Sequence, residues 1–279
     1  MKNKNKIFEN LFVLDLANNH FGDFLHAKKV INSFIKITKK NKLKATIKFQ
    51  FRDLNTFIHP SQLNNKNNKY VKRFSSTKMS FDNFSKLFRT IKSKGMLTSC
   101  TPFDENSVGV IEKMKFDFLK IASVSSNDWS LLERVRKNSI PKIISTGGKN
   151  LDQIDNIVSF FRRSNTPFSI MHCVAIYPSE NYHLNLEFIK SLKKRYKDIT
   201  IGWSTHERPE NLLPSTIAYS CGASMFEKHI GIFSKKYKLN DYSTTPELFE
   251  KYISNLQDCK KILGNSEKVI STIELKTLD

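Results

Sequence analysis

Short apolar runs alternate with longer amphipathic stretches along the whole chain. The runs are rich in β-branched and aromatic residues and are almost continuously apolar, which is typical of parallel strands that are buried on both faces. We predict eight strands, at residues 12–17, 45–50, 97–103, 118–124, 142–147, 168–174, 200–205 and 224–230.

Amphipathic helices are predicted between these strands, because the hydrophobic period changes there from 2 to 3.6 residues. An open doubly wound sheet would give a similar alternation, but eight strand–helix units in 279 residues favour closure. The predicted fold is therefore an α/β (β/α)8 TIM barrel that forms a single domain over residues 1–279. The helices with the clearest period are at residues 27–39, 81–94, 129–137, 151–163, 186–196 and 246–263.

Two segments depart from this alternation. Residues 52–79 are polar, asparagine-rich and without a clear period, which predicts a long loop after the second strand. Two interpretations of this loop stay open, a lid or substrate loop and a disordered surface insertion. The first twelve residues, MKNKNKIFENLF, are basic but have no apolar h-region and no cleavage site, so we expect a short polar arm rather than a signal peptide.

The formal net charge of +20 raises the question of an anionic partner. A basic face would indicate nucleic acid or a membrane surface, but the lysines and arginines are scattered over separate helices and loops. We therefore expect no nucleic-acid partner, although an anionic substrate would gain from the positive field. No apolar run approaches the roughly 20 residues of a membrane span. The four cysteines lack CxxC spacing, which indicates free thiols in a cytoplasmic protein.

Polar residues occupy the C-terminal ends of the predicted strands, where (β/α)8 barrels carry their active sites. Lys48 and Gln50 share one face of the second strand, since residues i and i+2 align. Lys120 lies in an apolar strand, where a lysine rarely occurs without an anionic partner. Two lysines beside several hydroxyl groups predict a phosphate cradle, and core ion pairs are the alternative. The hydroxyl residues are Thr101, Ser123 and Ser145.

Two histidines end the last two predicted strands, which are neighbours in a closed barrel. His206 and His229 would then face one opening. Neutral imidazoles suit a divalent cation whose coordination is completed by carboxylate or water. Two unrelated, hydrogen-bonded histidines are the alternative.

The ordered motifs of the chain resemble those of the sialic acid synthase family, the NeuB-like N-acetylneuraminate synthases. The resemblance extends from about residue 12 to residue 263 and implies a (β/α)8 barrel. It also implies that phosphoenolpyruvate condenses with an N-acylated aldose to a nonulosonic acid and phosphate, for surface polysaccharide, with Mn²⁺ or Mg²⁺ as cofactor. The motifs are LANNHFGD, TIKFQ, TPFD, KIAS, ISTGG, HCVAIYP, IGWSTH and EKHIG.

The resemblance also implies roles for individual residues. The side chains implied to bind phosphoenolpyruvate are Lys48, Thr101, Lys120, Ser123 and Ser145. The implied metal ligands are His206 and His229. The implied sugar-side residues are Gln50, Tyr177 and, by a looser match, Asp241. Asp15 would handle a proton or a metal-bound water, so the implied catalytic set is Asp15, Lys48, Lys120, His206 and His229.

Departures from the family pattern fall on the sugar and water side of this site. Asp15 and Ser125 stand where glutamate is usual, and Ala175 stands where asparagine is usual. We also expect no C-terminal antifreeze-like domain, which in typical members contacts the sugar in the partner subunit. A different acceptor, a homodimer, or a separate protein that replaces this domain would fit. The alternative function is a degenerate, non-catalytic member that binds phosphoenolpyruvate or sugar, or that partners an active paralogue.

Overall fold

Eight parallel strands form a closed barrel in chain order, with β1 hydrogen-bonded to both β2 and β8. The computed structural model describes residues 4–62, 65 and 67–278. All eight predicted strands and the predicted barrel are confirmed, with strand ends that shift by a few residues. The strands are β1 (Leu11–Asp15), β2 (Lys44–Phe51), β3 (Leu97–Pro102), β4 (Phe118–Ile121), β5 (Lys142–Ser145), β6 (Phe168–Cys173), β7 (Ile201–Ser204) and β8 (Met225–His229).

Helices pack around the outside of the barrel, and all six that the period predicts are present. The period did not predict α5, α9 or the exposed α11. The buried face of α5 includes the polar Ser107, and α9 is rich in serine and threonine, so neither shows a clear amphipathic pattern. The helices are α1 (Phe24–Lys40), α2 (Leu54–Phe57), α3 (Lys69–Ser76), α4 (Phe81–Ser93), α5 (Glu105–Met114), α6 (Trp129–Arg136), α7 (Leu151–Arg162), α8 (Phe188–Arg195), α9 (Leu213–Ser220), α10 (Pro246–Leu263) and α11 (Thr272–Leu278).

Two apolar clusters stabilise the barrel. The larger lies between the strands and the surrounding helices. The smaller fills the N-terminal end of the barrel interior, so that the barrel is a packed core rather than a pore. Its members are Phe8, Leu11, Val13, Phe118, Ile143, Met171 and Met225. The charged side chains of the interior, Asp15, Lys48, Lys120 and Glu227, lie at the opposite, C-terminal end.

The N-terminal segment closes the lower end of the barrel. Residues Lys4–Phe8 form a 3-10 helix, and the fully buried ring of Phe8 lies 5.6 Å from that of Phe118. The prediction of a polar arm was therefore wrong for residues 4–8, because one aromatic residue in a basic stretch was enough to anchor it. Residues 1–3 of the predicted arm lie outside the described residues.

The segment after β2 is folded against the barrel rim. It contains α2, a 3-10 turn at Pro60–Gln62 and α3. The segment is the connection after β2, as predicted, but its described part is not a disordered insertion, because its widely spaced aromatic residues pack on one another. The ring of Phe57 lies 5.7 Å from Phe74 and 5.9 Å from Phe103. Residues 63, 64 and 66 of this predicted loop lie outside the described residues.

The structure also describes the cysteines and the length and polarity of the helices. The four cysteines are unpaired, as their spacing predicted. Within the described ranges, none of the helices combines the length and the apolar character that a membrane crossing requires.

Replacing Phe8 with alanine should lower the free energy of unfolding by about 3–5 kcal/mol, because the change leaves a cavity at the closed end of the barrel. Chemical denaturation followed by circular dichroism measures the loss. Ile7→Ala is the matched control, since Ile7 is adjacent but partly exposed. Equal losses for the two variants would show that Phe8 does not close the barrel.

Candidate active site

The strand register brings polar side chains from several strands to one level inside the C-terminal mouth. Asp15 at the end of β1 is opposite Lys48 in β2 and His229 in β8. Gln50, two residues after Lys48, is opposite Thr101 in β3. Because side chains alternate between the two faces of a strand, these residues all point into the barrel.

A chain of alternating charges crosses the barrel interior. Lys48 Nζ lies 3.0 Å from Asp15 Oδ2 and 2.8 Å from Glu227 Oε1. The other oxygen of Glu227 lies 3.6 Å from Lys120 Nζ, which donates to Ser145 Oγ at 2.5 Å. All of these side chains are buried. The arrangement contains two cations and two anions, so it is charge-balanced.

The two lysines are not equally compensated. Burial opposes the charge of Lys48, but Asp15 and Glu227 outweigh burial and raise the pKa of Lys48 above its ordinary value. Burial lowers the pKa of Lys120, because the more distant Glu227 does not offset the loss of water. Burial would raise the pKa of Glu227, but Lys120 and Lys48 outweigh it and lower that pKa to about 2. Lys120 is therefore the cation with the greater need for a further anion.

Hydroxyl groups that can donate a further hydrogen bond lie on the side of the mouth that carries Lys48 and Lys120, here called the lysine side. Ser123 Oγ accepts a hydrogen bond from Gly147 N at 2.9 Å, which leaves its own proton to donate. A Cβ at position 147 would lie 2.8 Å from Ser123 Oγ, so this close approach requires glycine. Thr101 Oγ1 is buried and has no hydrogen-bond partner among the described residues. These donors and the two lysines lie on or directly after β2 to β5 and face the interior together. Several donors and positive charge at one place are what binding of an oxyanion requires.

His206 and His229 lie on the opposite side of the mouth, with ring centroids 5.4 Å apart. His206 Nδ1 lies 2.7 Å from the carbonyl oxygen of Val174, which can only accept, so Nδ1 carries the proton and Nε2 a lone pair. Burial, with a contribution from His229, lowers the pKa of His206 to about 3. Burial also lowers the pKa of His229, whose Nδ1 is 3.7 Å from Asp15 Oδ2.

Both imidazoles are therefore neutral at pH 7, and a backbone carbonyl orients one of them, as is usual for metal-binding histidines. In the described ranges, no three His, Cys, Asp or Glu side chains form a complete metal site. Two imidazoles could hold a divalent cation if water or substrate oxygens completed its coordination. The donor set thus fits a cation of this kind.

The predicted sugar-side residues lie in different surroundings. Gln50 Nε2 donates to Asp15 Oδ2 at 3.0 Å, which places this amide directly beside the charged centre. The half-exposed ring of Tyr177 packs on His206 with centroids 4.1 Å apart. Asp241 is exposed and pairs with Arg208 at 3.4 Å, and the structure records no contact between it and the other predicted site residues.

The family departures also lie at this mouth. Ser125 is buried at the end of a 3-10 turn after β4, and Ala175 is exposed in the loop after β6. A serine and an alanine at these positions leave the mouth without the carboxylate and the amide that the family pattern would supply.

Two residues of the site, Glu227 and Tyr242, had no role in the predictions from the sequence. Glu227 lies two residues before His229 on the same strand, so alternation along β8 could have indicated it. The buried ring of Tyr242 lies edge-on to His229, with centroids 5.1 Å apart. It belongs to the segment between β8 and α10, and no local sequence signal points to it.

The fold and these side chains define a (β/α)8-barrel protein with a buried polar centre at the C-terminal mouth, the arrangement of enzymes with this fold. The chain belongs to the NeuB family, whose sequence model matches residues 34–268. This is the sialic acid synthase family that the motifs indicated.

The relatives agree with this assignment. The chain is 30% identical to an uncharacterised protein of Methanocaldococcus jannaschii, over 90% of this chain and 71% of the relative. It is 25% identical to human N-acetylneuraminate-9-phosphate synthase, over 94% of this chain and 74% of that enzyme. A Chromobacterium violaceum structure, named for spore coat polysaccharide biosynthesis protein E, superimposes with a TM-score of 0.92 at 38% identity, over 97% of this chain and 81% of that one.

A second solved structure carries an enzyme name. It is the sialic acid synthetase of Leptospira borgpetersenii, in complex with citrate. It superimposes with a TM-score of 0.80 at 25% identity, over 96% of this chain and 89% of that one.

Replacing Glu227 with glutamine should lower the free energy of unfolding by about 3–5 kcal/mol, because both buried lysines lose an anionic partner. Urea denaturation at constant pH measures the change. Glu250→Gln is the control, since Glu250 forms an exposed pair with Lys40 and should contribute less than about 1 kcal/mol. A Glu227→Gln protein as stable as this control would contradict the ion-pair chain.

Proposed function

We propose that the protein condenses phosphoenolpyruvate with an aldose of the N-acyl hexosamine type. The products would be a nonulosonic, 2-keto-3-deoxy acid and inorganic phosphate, for surface polysaccharide synthesis in the cytoplasm. The observation that carries the proposal is a pair of buried lysines, Lys48 and Lys120, that share the carboxylate of Glu227. The same mouth carries the neighbouring imidazoles of His206 and His229. The relatives named as sialic, pseudaminic and legionaminic acid synthases support the same class of reaction.

The lysine side of the mouth would bind phosphoenolpyruvate. Its phosphate and carboxylate need several donors and positive charge, and both are available there. Lys120 is the less compensated lysine and lies against Ser145, so an incoming phosphate would supply the anion that Lys120 lacks. Thr101 and Ser123 have hydroxyl protons available for the same ligand. Hydrogen bonds of this kind to an ionised group are roughly twice as strong as those between neutral groups.

The histidine side would hold Mn²⁺ or Mg²⁺, with His206 and His229 as the protein ligands. A bound divalent cation supplies Lewis acidity, which polarises the aldehyde oxygen of the acceptor. The Val174 carbonyl holds His206 in the tautomer that leaves Nε2 available. Tyr177 and Tyr242 pack against the two imidazoles and limit the access of water to them.

The chain's own residues account for the remaining steps. Carbon 3 of phosphoenolpyruvate forms a bond to the aldehyde carbon, whose oxygen takes up a proton. Water adds at carbon 2, and phosphate leaves by cleavage of its carbon–oxygen bond. The lysines balance the negative charge that develops on the phosphate oxygens. Asp15 is the carboxylate nearest His229 and would accept the proton that the water loses, while Gln50 holds this carboxylate in place.

Purified protein mixed with phosphoenolpyruvate, Mn²⁺ and a panel of N-acyl hexosamines and other aldoses should release inorganic phosphate, measured by a colorimetric assay. His206→Ala should reduce the rate by about 100-fold or more, since loss of a ligand weakens the metal at least as much as loss of a residue that orients one. His59→Ala is the control, because His59 is exposed and forms its hydrogen bond with Ser61, outside the pair of His206 and His229. Phosphoenolpyruvate binding without phosphate release from any aldose would favour the non-catalytic alternative.

Lys120→Met should weaken phosphoenolpyruvate binding by about 10- to 100-fold, as expected for one lost hydrogen bond to a charged group. Isothermal titration calorimetry without added metal measures binding separately from turnover. Lys92→Met makes the same charge change beside Asp117, which follows α5, and should leave binding unchanged. Equal affinities of the two variants for phosphoenolpyruvate would show that Lys120 does not bind this substrate.

A further inference from the structure

A cavity of about 310 Å³ lies beside the candidate active site, beneath the segment that follows β2. Its walls come from the β1–α1 loop, the end of β2, α4 and α5, and much of its lining is aromatic. A volume of this size is at the lower end of small-ligand sites. The polar groups at its walls decide what it could bind.

Arg52 is the principal charge in this wall. Its guanidinium stacks on the rings of Phe103 and Phe74, with centroid distances of 3.8 and 4.4 Å, and one of its nitrogens donates to Gln50 Oε1 at 2.7 Å. No ion pair forms between Arg52 and any carboxylate in the described part of the chain. Burial lowers the pKa of Arg52 to about 10, so the group is still a cation at pH 7. Asp15 and Asp104 attract this cation from a distance, but neither pairs with it. A largely buried cation without a paired anion favours an anionic ligand.

The nearby acids are engaged elsewhere. Asp104 caps α5 by accepting from Ser107 N at 2.7 Å, and its second oxygen accepts from Asp53 N at 2.8 Å. Asp53 in turn accepts from Asn106 Nδ2 at 3.2 Å. Both carboxylates therefore satisfy backbone and amide donors rather than the guanidinium of Arg52.

His20 adds a second donor. It is almost fully buried, lines the cavity, and packs edge-on against Phe84. Its Nδ1 accepts from Gly22 N at 3.1 Å, so Nε2 carries the proton of the neutral ring. This N–H has no hydrogen-bond partner among the residues that the structure describes. Burial and the charge of Arg52 lower the pKa of His20 to about 4, which keeps the ring neutral.

Gln50 joins this cavity to the proposed acceptor site. Its Oε1 accepts from Arg52, while its Nε2 donates to Asp15. One amide thus separates the cavity from Asp15, the carboxylate that accepts a proton from water in the proposed function. A substituent on the acceptor that extends past Gln50 would meet Arg52 and His20.

We propose that this cavity is a subsite for an oxyanion on the acceptor sugar, a phosphate ester or a carboxylate, recognised by Arg52 and His20. The assignment rests on the proposed function, because it takes the acceptor to lie beside Asp15. The neutral aldose of the minimal reaction would leave Arg52 without a paired anion, whereas an anionic acceptor would pair with it. Arg52 and His20 are then specificity-determining residues rather than catalytic ones.

The test uses acceptor analogues that cannot react. N-acetylmannosaminitol, its 6-phosphate and its 6-carboxylate lack the aldehyde, so their binding is independent of turnover. Calorimetry is run on the full chain with saturating phosphoenolpyruvate, which occupies the lysine side. At least one anionic probe should bind about tenfold or more tightly than the neutral probe, as expected for one charge-assisted hydrogen bond. Equal affinity for the three probes, or no binding of any, overturns the subsite.

Arg52→Met should abolish the advantage of the anionic probe, so that the anionic and the neutral probe bind this variant with equal affinity. Arg89→Met makes the same charge change at an exposed position of α4 and should preserve the advantage. If Arg52→Met does not fold, His20→Phe keeps the aromatic packing and should reduce the advantage by about threefold to tenfold. If Arg52→Met still binds the anionic probe more tightly than the neutral probe by the same factor, the assignment is overturned. The same result in His20→Phe overturns it where Arg52→Met does not fold.

A third arm distinguishes the source of the anion. Inorganic phosphate, added with phosphoenolpyruvate already bound, should compete only weakly with the anionic probe. Competition as strong as that of the probe itself would assign the cavity to a free anion and overturn its role in acceptor recognition. The phosphate-release assay with neutral aldoses judges the proposed reaction separately, so failure of the reaction and failure of the subsite give different results.

Discussion

The carboxylate of Glu227 lies between two ammonium groups inside the barrel, and the polar centre depends on its charge. Lys48 and Lys120 are both buried, and a buried ammonium group without an anion would lose its proton or destabilise the fold. Glu227 contacts Lys48 at 2.8 Å and approaches Lys120 at 3.6 Å. Asp15 pairs with Lys48 but not with Lys120, so Lys120 is the less compensated of the two cations.

The same centre divides the mouth into two chemical sides. Lysines and hydroxyl groups come from β2 to β5, whereas the two imidazoles come from the loop after β7 and from β8. Asp15 lies where these sides meet, because β1 is hydrogen-bonded to both β2 and β8. Closure of the barrel is what makes β1 and β8 neighbours. An open sheet would leave the lysines and the histidines at separate edges.

The segment after β2 extends this arrangement outward. It covers the rim with α2 and α3, and its Phe74 stacks on Arg52. Gln50 then links Arg52 to Asp15 through two hydrogen bonds. The result is a polar path from Asp15 in the buried centre, through Gln50, to a cavity partly lined by phenylalanines.

The sequence by itself determined the barrel, its eight strands and most of the site. Continuous apolar runs reflect strands buried on both faces, and polar residues at their ends stand out against that background. Alternation within one strand was enough to place Lys48 beside Gln50. Residues whose role depends on another strand's residues were harder to predict. Glu227 is recognisable as a partner only when β2, β4 and β8 are placed around one interior.

Only the tertiary structure decided the packing of segments without a period. Phe8 closes the barrel, Tyr242 covers the histidines, and Arg52 stacks between two phenylalanines; each contact joins residues far apart in the chain. Local propensity and periodicity carry no information about such contacts, because their energy comes from burial against distant elements. For that reason the barrel and the lysine–histidine centre could be predicted from the sequence, whereas the rim around them could not.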